Sequence, residues 1–287
     1  MKKKINNFIT LFLVLAMLAG LSLLLYPTVS DWWNSYHKTK AIATYAQDVA
    51  NLSKEDYEKI WKAATEYNAS LTERNSDYTL TEEQKRQYEQ LLNVSGDGMM
   101  GYIEIPSIDC SLPIYHGTQE SVLQIAVGHI EWSSLPVGGA GTHCVVSGHR
   151  GLPRAKLFTN LDQLTEGDTF MLRVLDEVLT YEVDQILIVE PQETGALRIE
   201  EGKDYCTLVT CTPYGINTHR LLVRGHRIEN RDESIRVTAD AIQLEPMIVA
   251  PIVAIPMLLV LVIILLLPRQ SKKKRGGDAN EGKKTHK

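Results

Sequence analysis

Cys211 has the strongest claim to chemistry, because of what surrounds it in the stretch 207–225, TLVTCTPYGINTHRLLVRG. It closes a short β-branched and apolar run, Thr207-Leu208-Val209-Thr210, with the composition of a strand. Pro213, Gly215 and Asn217 supply turn residues, and Leu221-Leu222-Val223 opens a second strand-like run directly after His219 and Arg220. A strand, a loop of about eight residues and a returning strand could bring Arg220 near Cys211. A cation beside a thiol favours the nucleophilic thiolate. Arginine also keeps its proton throughout the working pH range, so it can stabilise negative charge as it develops. The competing reading is plain: a single cysteine at a strand end is commonly a small buried hydrophobe.

A cysteine nucleophile that cleaves amides needs a histidine to manage protons, and the chain has 8. His37 lies near an apolar block and His286 in a basic tail, both poor positions. His219 adjoins Arg220, but neighbouring strand residues point to opposite faces. His226 shares the parity of Arg220 yet sits well along the strand. His149 has the best context. It follows the strand-like run Cys144-Val145-Val146-Ser147, inside Ser147-Gly148-His149-Arg150-Gly151. The flanking glycines permit close backbone approach and unusual dihedrals, as expected at the rim of a site. A structural histidine that caps a turn is the alternative.

These groups need a scaffold, and the 287 residues suffice for one sizeable core with accessory segments. The apolar content is unevenly spread. Phe8 to Tyr26 and Met247 to Leu267 are uncharged blocks, each of a length that crosses a bilayer as a helix. A cleaved signal peptide competes for the first block, although its apolar region is longer than such peptides use. The second holds Pro251 and Pro256, which a membrane helix tolerates. Lys2, Lys3 and Lys4 precede the first block, and Arg269, Lys272, Lys273, Lys274 and Arg275 follow the second. The positive-inside rule then puts both termini in the cytoplasm and the intervening chain outside. The whole chain carries −5 although both ends are basic, so its middle is strongly acidic. That argues against nucleic acid as a partner. Cys110, Cys144, Cys206 and Cys211 could form disulfides outside the cell, or stay free; their spacing gives no zinc-site pattern.

The chain divides into residues 1–27 (basic end and first span), 28–95 (a helical extension), 96–230 (a β domain), 231–246 (a linker), 247–267 (second span) and 268–287 (basic tail). In the extension, Ile42, Tyr45, Ala46 and Val49, then Tyr57, Ile60, Trp61, Ala64 and Tyr67, recur at helical spacing and read as packing surface. Ser53 with Asp56, and Thr81 with Gln84, are capping patterns. Residues 72–80 form a polar loop. From Met99 the strand candidates are 99–105, 112–115, 142–147, 169–175, 178–189, 206–210 and 220–228, with a short helix over 157–164. That density of short strands suggests a closed or nearly closed barrel.

The segments TLVTCTPYG, NTHRLLVRG and SGHRGLP, in this order of roles around Cys211, Arg220 and His149, resemble the sortases, cysteine transpeptidases of Gram-positive cell surfaces. The similarity extends over roughly Gly96 to Arg227 and is nearest to the class C, pilin-polymerising members. It implies a mainly β fold: a closed eight-stranded sortase barrel with an N-terminal helical extension and two flanking transmembrane helices. It further implies His149, Cys211 and Arg220 as the catalytic set, acting without metal or organic cofactor. The implied partners are secreted pilins or surface proteins ending in LPXTG-like sorting signals, cleaved between Thr and Gly, with a pilin lysine or a cell-wall precursor as amine acceptor. A membrane-tethered domain that binds such signals without turnover is the non-enzymatic alternative. Class C members carry a lid with an Asp-Pro-aromatic motif; here Asp77 and Tyr78 correspond, without the proline between them. By resemblance, Asp77 would pair with Arg220 and Tyr78 would shield Cys211.

Overall fold

The computed structural model describes residues 2–72, 79–152 and 155–230. The lid pair Asp77 and Tyr78, the second apolar block at 247–267 and the basic tail lie outside these residues. Helix α1 spans Lys2–Ala50 and carries Pro27 within it. The sequence suggests an anchor followed by a separate helix, but the structure keeps one helix, since a single proline removes one rung of the hydrogen-bond ladder and leaves the rest. Its segment Phe8–Pro27 is long and apolar enough to cross a bilayer, with none of it buried, and among the described residues it alone meets that test.

Two capped helices follow. Helix α2, Lys54–Thr72, starts where the Ser53 hydroxyl accepts from the Asp56 amide at 3.1 Å and donates to the Asp56 carboxylate at 2.6 Å. Helix α3, Glu82–Gln90, opens on a reciprocal capping box between Thr81 and Gln84. Together these satisfy amides that the first turn leaves without partners. The helical stripe is packing surface, as its spacing suggests: Tyr45, Ala64 and Tyr67 are buried, and Val49, Tyr57, Ile60 and Trp61 pack beside them. Polar anchors fix the orientation. The Tyr45 hydroxyl donates to the Met100 carbonyl at 2.9 Å and accepts from the Leu175 amide at 2.8 Å, while Asn68 makes a paired amide contact with the Leu135 backbone.

The strands are β1 (Met99–Ile105), β2 (Cys110–His116), β3 (Val127–His129), β4 (Thr142–Ser147), β5 (Thr169–Val174), β6 (Glu177–Val189), β7 (Asp204–Thr212) and β8 (His219–Ile228). They close into a barrel in the order β1-β2-β3-β4-β7-β8-β6-β5. β2 with β3 and β4 with β7 pair in parallel; the other pairs are antiparallel. Alternation sends Ile103, Ile105, Cys144, Val146, Leu208 and Val223 into one core shared with α2 and α3. The helix suggested over 157–164 is instead a single 3-10 turn, Leu161–Gln163: Leu157 sits at φ 35, Asn160 at φ −98 and ψ 12, and Leu164 is extended at ψ 144, so no α-helical run is left between them.

Burial lowers the pKa of two imidazoles of this shell. His143 on β4 donates from Nδ1 to the Arg198 carbonyl at 2.8 Å and accepts the Thr207 hydroxyl proton at Nε2, 2.7 Å away. Burial pulls its pKa below the ordinary 6.5, with the Arg198 carbonyl opposing and Arg224 assisting. His116 is pulled down by burial too, against the carbonyls of Gly98 and Leu91. As pH falls, the unfolded chain therefore takes up these protons first. The stability they contribute is complete above the unfolded pKa, about 6.5, and drains away below it. Calorimetry should show Tm falling between about pH 7 and pH 5, by about 2–4 °C per kcal/mol lost. His143→Gln, which offers a donor and an acceptor without titrating, should flatten part of that slope; an unchanged slope would clear His143 of the effect.

Candidate active site

Cys211 and Arg220 are register partners in the β7–β8 hairpin. Their side chains therefore leave the same face, with Cβ atoms about 5 Å apart. The ladder runs two residues past the apolar run, to Thr212 opposite His219, since backbone pairing does not require apolar side chains. The loop between is 213–218. Its turn is closed by the Ile216 and Asn217 amides, which donate to the Pro213 carbonyl at 3.1 and 3.0 Å. Gly215 (φ 76) and Asn217 (φ 63) supply the left-handed conformations that this turn requires, and the Thr212–Pro213 peptide is cis.

His149 reaches the same rim from the neighbouring strand. β4 and β7 are parallel, and Ser147 pairs with Val209. The pairing continues as the Gly148 amide donates to the Val209 carbonyl at 3.0 Å and the Thr210 hydroxyl donates to the Gly148 carbonyl at 2.8 Å. His149 and Cys211 each lie two residues beyond that last pair, so two parallel strands deliver them side by side. Gly148 is required there: a Cβ would fall 2.8 Å from the Phe158 ring and 2.9 Å from Val127. The His149 carbonyl accepts from the Phe158 amide at 3.1 Å. Arg150 braces the turn by pairing with Asp162 and lying over the Tyr214 ring, 5.7 Å from its centre, which ties the His149 turn to the β7–β8 loop.

Arg220 is itself held. Its Nη1 donates to the carbonyls of Asn217 (3.3 Å) and His219 (3.1 Å), while Nε and Nη2 have no hydrogen bond or ion pair among the described residues. The guanidinium thus has a fixed base and donors to spare. Beside it on the outer face of the barrel, Val145, Val209, Leu197 and Leu222 form a second, buried apolar cluster, with Trp132 and Val189 packed against it. Val209 and Leu222 are the next same-face pair after Cys211 and Arg220, so this buried cluster supports the hairpin immediately behind the thiol.

The other candidates fall elsewhere. His219 pairs with Thr212 on the alternate face and contacts the Thr218 hydroxyl at 2.9 Å. His226 lies opposite Tyr205, 3.8 Å from Asp184. His37 sits on α1 against the Trp33 carbonyl, and His286 lies outside the described residues. All four cysteines are free thiols. Burial pushes Cys110 up to about 12 and Cys206 well above the usual thiol range, so neither supplies a thiolate. Cys144, opposite Cys206 in the core, is buried. Cys211 is partly exposed at the rim. Among the described residues no group of three or more His, Cys, Asp or Glu side chains could hold a metal ion.

One residue escapes the sequence. Glu120 opens the four-residue helix α4, Glu120–Leu123, and places Oε2 3.5 Å from His149 Nε2. A single turn of helix leaves no periodicity to read, and nothing in GTQESVL marks the glutamate.

The sortase domain family matches residues 103–228. Among solved structures, sortase C1 of Streptococcus agalactiae is 49% identical, with a TM-score of 0.66, covering 67% of this chain and 100% of that one. Sortase C of Streptococcus pneumoniae, a protein described in terms of pilin substrate specificity, is 45% identical with a TM-score of 0.61, over 67% of this chain and 97% of that one. Sortase D of Bacillus subtilis is 31% identical over 45% of this chain; the match spans 63% of that protein.

Proposed function

Because the chain belongs to the sortase family of cysteine transpeptidases, we propose that it cleaves LPXTG-like sorting signals between Thr and Gly and joins the freed threonine to a lysine of a pilin. The Cys211 thiolate attacks the threonine carbonyl, and the tetrahedral intermediate's oxyanion is stabilised by the guanidinium of Arg220. The C–N bond breaks as the His149 imidazolium gives its proton to the departing glycine amine, leaving a thioester on Cys211. The incoming amine then attacks the thioester, His149 takes the amine's proton, and the thiolate leaves. Asp77 and Tyr78 serve as the lid of this site. The chain acts as a two-pass membrane protein with both termini cytoplasmic and the barrel outside.

One observation carries the reading: a half-exposed thiol lies opposite a guanidinium with donors to spare, while an imidazole leaves the adjacent parallel strand at the same rim. Full-length protein in detergent, given an LPXTG peptide together with a lysine-bearing peptide and an oligoglycine peptide, tests it by mass spectrometry. The expected product is the lysine isopeptide with release of the glycine fragment. Transfer to oligoglycine alone would favour anchoring to a cell-wall precursor, and an uncleaved signal would end the proposal.

A further inference from the structure

Around the proposed site, one charged group touches the machinery without having a part in the chemistry above. Glu120 Oε2 lies 3.5 Å from His149 Nε2, and the contact joins helix α4 to the turn after β4. The carboxylate is not loose. Its Oε1 accepts a hydrogen bond from the Gln124 side chain one helical turn on, which leaves Oε2 for the imidazole. The α4 turn is closed in its turn by the Leu123 amide on the Gln119 carbonyl (3.0 Å) and the Gln124 amide on the Glu120 carbonyl (3.0 Å).

We infer that Glu120 is a positioning residue for His149: it fixes the orientation of the ring and supplies the counter-charge for its imidazolium form. A histidine that must act first as acid and then as base has two needs here. It must keep one rotamer through both half-reactions, and its cationic state must be supported while the leaving amine waits for its proton. A carboxylate on the ring nitrogen meets both. Glu120 is held ionised by the Gln124 hydrogen bond first and by the His149 charge second, its pKa drawn below the usual carboxylate range. The side chain is 70% exposed, so the contact works through water-screened charge and geometry, and its removal does not disturb the core. The inference rests on the acid–base role proposed for His149.

Glu120→Gln, Glu120→Asp, His149→Ala and the double variant, assayed for transfer of a sorting peptide to an amine acceptor, test it. Glu120→Gln should lower kcat roughly three- to fivefold with KM for the sorting peptide and Tm unchanged. Glu120→Asp should recover part of the loss. Raised ionic strength should bring the parent protein down toward Glu120→Gln and leave that variant nearly flat, because a screened charge has less to lose. In the His149→Ala background, adding Glu120→Gln should cost nothing further. If His149→Ala is crippled while Glu120→Gln equals the parent at low salt, this inference falls and the catalytic reading stands. A Glu120→Gln effect confined to KM would make Glu120 a substrate contact and overturn it. A fully active His149→Ala would remove the catalytic reading, and this inference with it.

Discussion

Cys211→Ala is expected to leave a folded protein that forms no thioester and cleaves the sorting signal at least about 10³-fold more slowly. The expectation follows from what covalent catalysis replaces. Without the sulfur there is no acyl-enzyme, and amide cleavage must proceed by direct attack of water or amine, a step for which His149 and Arg220 alone have no positioned nucleophile. No other thiol can stand in: Cys110 and Cys206 are held protonated by burial, and Cys144 faces the barrel interior. Intact-mass spectrometry of protein quenched with peptide present reads the result directly. Parent protein should carry the acyl adduct, and Cys110→Ala should carry it too. An adduct on Cys211→Ala, or turnover within tenfold of the parent, would show that the nucleophile lies elsewhere. The fold gives no reason for a stability loss to confuse the outcome, since Cys211 is only partly buried at the end of β7.

Much of this site was legible in the sequence, for reasons that can be located. The strands that hold Cys211 and Arg220 are neighbours in the chain, joined by turn residues whose conformations the structure reproduces at Gly215 and Asn217. A hairpin is a local object, and its register follows from its turn. His149 was a different problem. Nothing local says that β4 lies parallel to β7, because that pairing spans some sixty residues of chain and depends on closing the barrel. Context singles out His149, which follows β4 two residues beyond its pairing with β7; Gly148 beside it is the trace of the close packing against Phe158 and Val127 that the fold imposes there. What stayed hidden was short. β3 is three residues long and α4 four, too brief for a period of two or of 3.6 to register, and the residue that α4 sets against His149 was hidden with it. Conversely, 157–164 resembles a helix because Leu157, Phe158, Leu161 and Leu164 fall at helical spacing; all four are buried, yet the backbone forms only the turn Leu161–Gln163.

Arg220→Lys separates charge from geometry at the oxyanion. Lysine keeps the positive charge beside Cys211, so a site that needs only a nearby cation would hardly notice. The arrangement of Arg220 argues otherwise. Nη1 is spent on the carbonyls of Asn217 and His219, and this tether aims the rest of a rigid planar fork from the position directly across the ladder from the thiol. An ammonium on a flexible stem, offered the same two carbonyls, has its donors drawn to them and none fixed toward the developing oxyanion. Preorganised donors are effective because they need no reorganisation as charge develops, and losing one typically costs 10²- to 10³-fold in kcat. Arg220→Lys should therefore lower kcat for thioester formation by about 10²-fold with a much smaller change in KM, and Arg220→Ala by more. Single-turnover kinetics of acyl-enzyme appearance reads the step in isolation. If Arg220→Lys instead raises KM and leaves the acylation rate intact, the guanidinium serves to hold the substrate backbone, and the oxyanion must find its donors among backbone amides at the same rim.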